Sequence, residues 1–112
     1  MAKTAEWALL SPWRELMRYR LRRARIQFND YIFGMADSGG MTAGLVLRFL
    51  RFLPEGVTEI YFHPSTRRCP EIDRNMPDYR HEDELSALTN GSVIEALEAA
   101  GVRRIAFSDL AR

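Results

Sequence analysis

His63 is the residue whose type and place in the chain are best suited to chemistry. It closes an apolar run, Val57-Thr-Glu-Ile-Tyr-Phe62, and is followed at once by Pro64 and a long polar stretch. The run reads as a strand bounded by Gly56 and Pro64. In parallel α/β folds, sites assemble at the C-terminal ends of strands. An imidazole there works as acid or base near neutral pH. The plainer reading is a strand-end histidine that bonds a loop carbonyl.

Other reactive types are sparse. Arg67 and Arg68 follow in the loop and have the planar fork that grips a phosphate or carboxylate on a substrate, although solvated loop arginines are more common. Cys69 is the only cysteine; with no base beside it, it reads as an inert small residue. No intramolecular disulfide can form, which fits a reducing compartment. His81 stands among Glu82, Asp83 and Glu84 and reads as a surface group in a helix's first turn. One cysteine and two histidines without ligand spacing do not suggest a self-contained zinc site.

Residues 1–25 carry Lys3, Arg14, Arg18, Arg20, Arg22, Arg23 and Arg25 against only Glu6 and Glu15. A basic amphipathic helix of this kind can bind a phosphate backbone or an anionic membrane surface. A solvated arginine face is the preferred reading. A formal net charge of +1 over 112 residues is too small for a dedicated nucleic-acid protein.

The elements that must position these residues alternate. Glu6 to Arg23 reads as a helix with a stripe of Trp7, Leu10, Met17 and Leu21, widened by Trp13 and Leu16. Ser11-Pro12 is a candidate break. Ile26 to Phe33 is expected to be extended, and Gly34 to Gly40 to be a loop. A mostly buried helix follows from a Thr42 cap to about Leu53, stopped by Pro54-Glu-Gly56. After the strand 57–62, Pro64 to Arg80 is a long loop. His81 to Leu88 is helical, and Asn90-Gly91 is a turn. Ser92 and Glu95 form a capping box for a helix ending at Gly101. Val102 to Phe107 is a last strand.

This order predicts an α/β fold in a single domain over 1–112, with about three parallel strands and flanking helices. Such a sheet needs cover on both faces, and its outer strands expose backbone groups. It therefore reads as an arc of a larger sheet or barrel. Pairing of two copies through those edges is one way to cover them. Hydrophobic residues at 46% and charged residues at 28% suit a soluble globular chain. No apolar run reaches the roughly 20 residues a bilayer span needs, and the first residues lack a signal-peptide layout. The expected location is the cytoplasm.

Several segments together resemble the YdjC/ChbG-type carbohydrate deacetylases. Gly56-Val-Thr-Glu-Ile-Tyr-Phe-His-Pro64 is similar to a late strand of that family, and Asn29 to Met41 to an earlier Asp- and Ser-Gly-containing segment. Tyr79 to Leu88 resembles one of its helices, and Ala99 to Asp109 its last strand. Ala36-Asp-Ser-Gly39, His63-Pro-Ser-Thr-Arg-Arg-Cys-Pro70 and Phe107-Ser-Asp-Leu110 point to its hopanoid-biosynthesis (HpnK) branch. The resemblance covers the chain from about Ile26 onward.

The resemblance implies a partial (β/α) barrel-like fold and removal of an N-acetyl group from an amino-sugar or glycolipid-type substrate. It implies a divalent metal, Mg or Zn, for the complete protein. It makes His63 an acid or substrate-orienting group near the scissile amide. Asp30, Asp37 and Ser38 match a segment near the pocket mouth and are candidates to hydrogen-bond sugar hydroxyls; turn chemistry explains them equally well. The family's metal-binding Asp-Asp motif is absent from this sequence. The chain is therefore expected to be the C-terminal part of such an enzyme, to bind no metal alone and to be inactive alone. The alternative is a non-catalytic module whose basic helix docks on a membrane or acidic partner.

Overall fold

Two segments of the chain, Met1–Phe28 and Arg104–Arg112, cluster as one unit, and Asn29–Arg103 forms a second. The computed structural model describes residues 2–110, and side chains from residue 8 onward.

The first unit is built on helix α1, Ala2–Arg23. The helix runs straight through Pro12 rather than breaking there. An interior proline forfeits one i→i−4 hydrogen bond, and here it is flanked by strong helix formers such as Leu, Arg and Met. Trp7, expected on the apolar stripe, lies outside the residues whose side chains are described. Trp13, Leu16, Met17, Leu21, Ala24 and Ile26 line a shallow apolar groove. On the charged side, the Arg18 and Arg22 guanidiniums stand 5.8 and 5.9 Å from the Phe28 ring centre. The helix ends in a Schellman motif: Arg25 N–H bonds Arg22 O and Ile26 N–H bonds Leu21 O, each at 3.0 Å. Arg25 takes φ +56° to allow this, a conformation glycine adopts more readily.

The last segment departs from expectation. Val102–Phe107 is not a strand; residues 102–106 are irregular and exposed. Phe107–Leu110 instead forms a short helical turn, α6, with Asp109 Oδ2 accepting the Ala106 N–H at 2.8 Å. A strand exists only through a ladder partner, and the described residues provide none.

The second unit holds a two-stranded parallel sheet. Strand β1, Tyr31–Phe33, pairs with β2, Thr58–Ile60, in the register Tyr31↔Thr58 and Phe33↔Ile60. The α/β class is thus observed, with two described strands where three were expected. The connection contains helix α2, Ala43–Arg51. Both strands are shorter than their apolar runs. Upstream of β1, Ile26 is committed to the α1 cap; upstream of β2, Gly56 turns the chain at φ +121°.

Helix α2 packs against α4, His81–Thr89, and α5, Gly91–Ala99. Met41, Val46, Leu50, Ala87 and Val93 form the buried core. Phe33 stacks on Phe49 at 4.9 Å between ring centres, tying the sheet to α2. The 64–80 segment, read as loop, contains helix α3, Pro70–Asn75, with Pro70 at its start and Glu71 and Asp73 in its first turn, an arrangement that suits a helix N-terminus. Thr42 occupies the N-cap position of α2 but makes no side-chain cap bond. Helix α5 also begins earlier than expected: Asn90 Oδ1 accepts the N–H groups of Ser92 and Val93 at 2.9 and 3.3 Å. The Ser92/Glu95 box is not the cap. Among the described residues no helix is long and apolar enough to cross a membrane.

Candidate functional site

Three chain segments converge beyond the C-terminal ends of β1 and β2: the turn after β1, the chain after β2, and the first turn of α4. Glu84 joins all three. Its side chain is fully buried; Oε1 accepts the Met41 N–H at 3.2 Å, and Oε2 accepts the His63 N–H. A buried carboxylate is costly unless its oxygens are satisfied, and two inward-pointing amides meet that need here.

His63 lies three residues beyond β2, with its side chain 20% exposed. Its carbonyl is bonded by His81 Nδ1 at 2.6 Å. A carbonyl only accepts, so this nitrogen donates. His81 is 3% exposed, which corrects the surface position expected for it. The acidic run around it misled that reading: Glu82 and Asp83 do face solvent, while His81 and Glu84 face inward.

Aromatic edges hold the His63 ring. Tyr61 and Tyr79 both meet it in edge geometry, at 4.7 and 5.0 Å between centres. Its Nδ1 stands 4.0 Å from Glu84 Oε2. Nδ1 of His63 and Nε2 of His81 are both buried without a hydrogen-bond partner among the described residues. Close backbone approaches make room for this arrangement. Gly34, at φ +94°, lies against the Tyr61 carbonyl where a Cβ would collide, and Gly39, at φ +81°, lies against the Tyr79 ring. Arg80 N–H bonds Gly39 O at 2.8 Å.

The other residues singled out by sequence are dispersed. Asp37 and Ser38 lie at the same end of the sheet as His63, in the turn after β1. Ser38 Oγ donates to Met35 O at 2.8 Å and Gly34 O at 3.2 Å, and the Asp37 carbonyl accepts the Gly40 N–H. Asp30 stands at the opposite end, where Oδ2 accepts the Val57 N–H at 2.9 Å. Arg68 bonds Asp73 at 2.5 Å and the carbonyls of Tyr79 and Pro77 at 2.7 and 2.9 Å. Its guanidinium therefore braces the 68–79 segment. Arg67 is exposed, and among the described residues its hydrogen bonds are those of its backbone with Ser65.

Glu84 and Tyr79 were not anticipated. The usable signal was spacing: His81, Glu84 and Ala87 recur every third residue and end on a core alanine.

A divalent ion finds no complete ligand set here. Among the described residues no three His, Cys, Asp or Glu side chains are grouped to hold one, and both Glu84 oxygens already accept backbone amides. What the arrangement does offer is a single imidazole, anchored through its own peptide and flanked by a buried carboxylate.

In comparison with known proteins, the family described as YdjC-like protein matches residues 1–99. No curated protein and no solved structure gives a significant match.

Proposed function

The chain belongs to the YdjC-like family, and from that premise we propose that it is the His63-bearing portion of a metal-dependent carbohydrate N-deacetylase. The carrying observation is the seating of His63 beyond the sheet's C-terminal end, with its peptide bonded on both sides by Glu84 and His81. In the complete site a divalent ion, Mg or Zn, held by residues outside those described, would supply an activated water. The imidazole holds or delivers a proton at the amide being cleaved. Asp37 and Ser38, at the same end of the sheet, are the candidates to meet sugar hydroxyls, and Arg67, exposed in the loop, to grip a phosphate or carboxylate on the substrate; Asp30 stands at the opposite end, and Arg68 braces the 68–79 segment.

The sequence contains no Asp-Asp pair. In this reading the metal ligands come from another segment or chain, the sheet is an arc of a (β/α) barrel-like fold, and this polypeptide is inactive alone. Exposed Tyr31, Ile32 and Tyr61 on and beside the two strands support faces that further elements of a larger fold cover. The Ala36–Gly39, His63–Pro70 and Phe107–Leu110 segments support the hopanoid-associated HpnK branch, hence a cytoplasmic enzyme with a glycolipid-type amino-sugar substrate. The test is acetate release from N-acetylated sugars with added Mg or Zn. It compares this chain with a version extended at its N-terminus to carry the Asp-Asp motif. Release only from the extended protein is expected. Equal release from the short chain would overturn its proposed inactivity, and none from either would overturn the deacetylase reading.

A second reading has its own observation. On α1, Trp13 is 70% exposed, Met17 56% and Leu16 41%, beside a strongly basic helix end. Such a face suits an anionic membrane or an acidic partner. Binding to anionic vesicles that weakens as salt rises is the expected sign; no binding at low salt removes this reading. Edge-to-edge dimerisation through β1 and β2 is the remaining way to cover the sheet, and sedimentation as a compact monomer would contradict it.

A further inference from the structure

We propose that Glu84 and His81 are positioning residues that set the tautomer and place of His63, with Nδ1–H turned to Glu84 and Nε2 left as the working nitrogen. The purpose assigned to this device rests on the deacetylase reading; the geometry does not.

Both polar groups of the His63 peptide are taken by residues one helical turn apart on α4. Glu84 accepts its N–H and His81 donates to its carbonyl. The imidazole is thus attached to a backbone that cannot rotate without breaking two partly buried hydrogen bonds. The Tyr61 and Tyr79 rings limit where it can swing. Of its two nitrogens, Nδ1 is buried and lies 4.0 Å from the carboxylate oxygen that already holds the residue's own N–H. At that range, in a water-poor setting, the negative oxygen favours an N–H over a lone pair. Nδ1 has no hydrogen-bond partner among the described residues to argue the other way. With Nδ1 protonated, the neutral ring keeps its lone pair on Nε2. A carboxylate behind a histidine is the general arrangement that fixes tautomer and orientation in acid–base sites. Here the same carboxylate also fixes the backbone.

His81 is constrained in the same way. Its Nδ1 must donate to the His63 carbonyl, so both histidines are assigned as Nδ1–H when neutral. The free side chain prefers Nε2–H, which makes this assignment measurable.

The experiment is ¹⁵N-resolved NMR of the histidine rings in the whole chain, at a pH where imidazole is neutral. The chain has two histidines, so His63→Gln assigns both ring systems. Both rings are expected as mostly Nδ1–H. In Glu84→Gln, the His63 ring is expected to move towards Nε2–H while His81 stays. A wild-type His63 in the Nε2–H form overturns the proposal, and this reading stands even if the variant does not fold. A folded Glu84→Gln protein with an unchanged His63 ring overturns the role of Glu84. A wild-type His81 in the Nε2–H form overturns the role of His81. None of these readings uses turnover, so the tautomer proposal and the deacetylase reading fail separately.

Discussion

Glu84 and His63 meet twice: Oε2 accepts the His63 backbone N–H and also stands 4.0 Å from its ring Nδ1. One fully buried carboxylate therefore holds the backbone of the residue that sequence singles out and stands beside its ring. Through Oε1 it also ties down Met41, at the end of the turn after β1.

Replacing Glu84 by alanine leaves the amides of Met41 and His63 without an acceptor. Each unsatisfied buried donor costs about 1–3 kcal/mol. Glu84→Ala is therefore expected to lose about 3 kcal/mol in urea titration, as a lower midpoint at unchanged slope. A loss below about 1 kcal/mol would mean that the carboxylate is not a structural tie.

Helix α5 distinguishes two caps. Asn90→Ala should cost about 1 kcal/mol, because it removes the acceptor for Ser92 and Val93. Ser92→Ala and Glu95→Ala should stay within about 0.5 kcal/mol, as exposed changes away from any tie do. The reverse ranking in thermal melts would restore the Ser92/Glu95 box.

That helix shows what sequence could and could not convey. Strand β2 was legible because Gly56 and Pro64 bracket an apolar run, but the ladder stops at Ile60 and His63 lies three residues beyond it rather than closing it. The α5 start was misplaced by two residues because two competent caps, Asn90 and Ser92, stand two positions apart. The spacing of His81, Glu84 and Ala87 could mark Glu84 as inward-facing, but its partners lie 21 and 43 positions away, and no local pattern carries that information. Val102–Phe107 has strand composition, but composition cannot supply the neighbouring strand that would pair with it.

Two glycines should respond oppositely to the same substitution. Gly34→Ala puts a Cβ against the Tyr61 carbonyl at φ +94°, and about 2 kcal/mol or more should be lost. Gly44, inside α2, has open space around a Cβ, and Gly44→Ala should gain about 0.5 kcal/mol. A Gly34→Ala melt no lower than that of the unsubstituted protein would contradict the backbone assignment at Gly34, and a lowered Gly44→Ala melt would contradict the open helical position of Gly44.

Arg25→Gly tests the end of α1. The arginine holds φ +56° at the Schellman position, where glycine is unstrained. A gain of about 0.5–1 kcal/mol is expected, offset by nothing the exposed side chain contributes within the described contacts. Unchanged or lowered stability in denaturant titration would argue against that conformation.

The most direct test of the central claim is acetate release by the metal-supplemented, N-terminally extended protein carrying His63→Gln. Loss of an acid or base group typically costs 10²–10⁴-fold, so a fall of at least about 100-fold with the fold retained is the predicted result. Turnover within a few-fold of the unsubstituted protein would show that His63 is not the group that handles the proton.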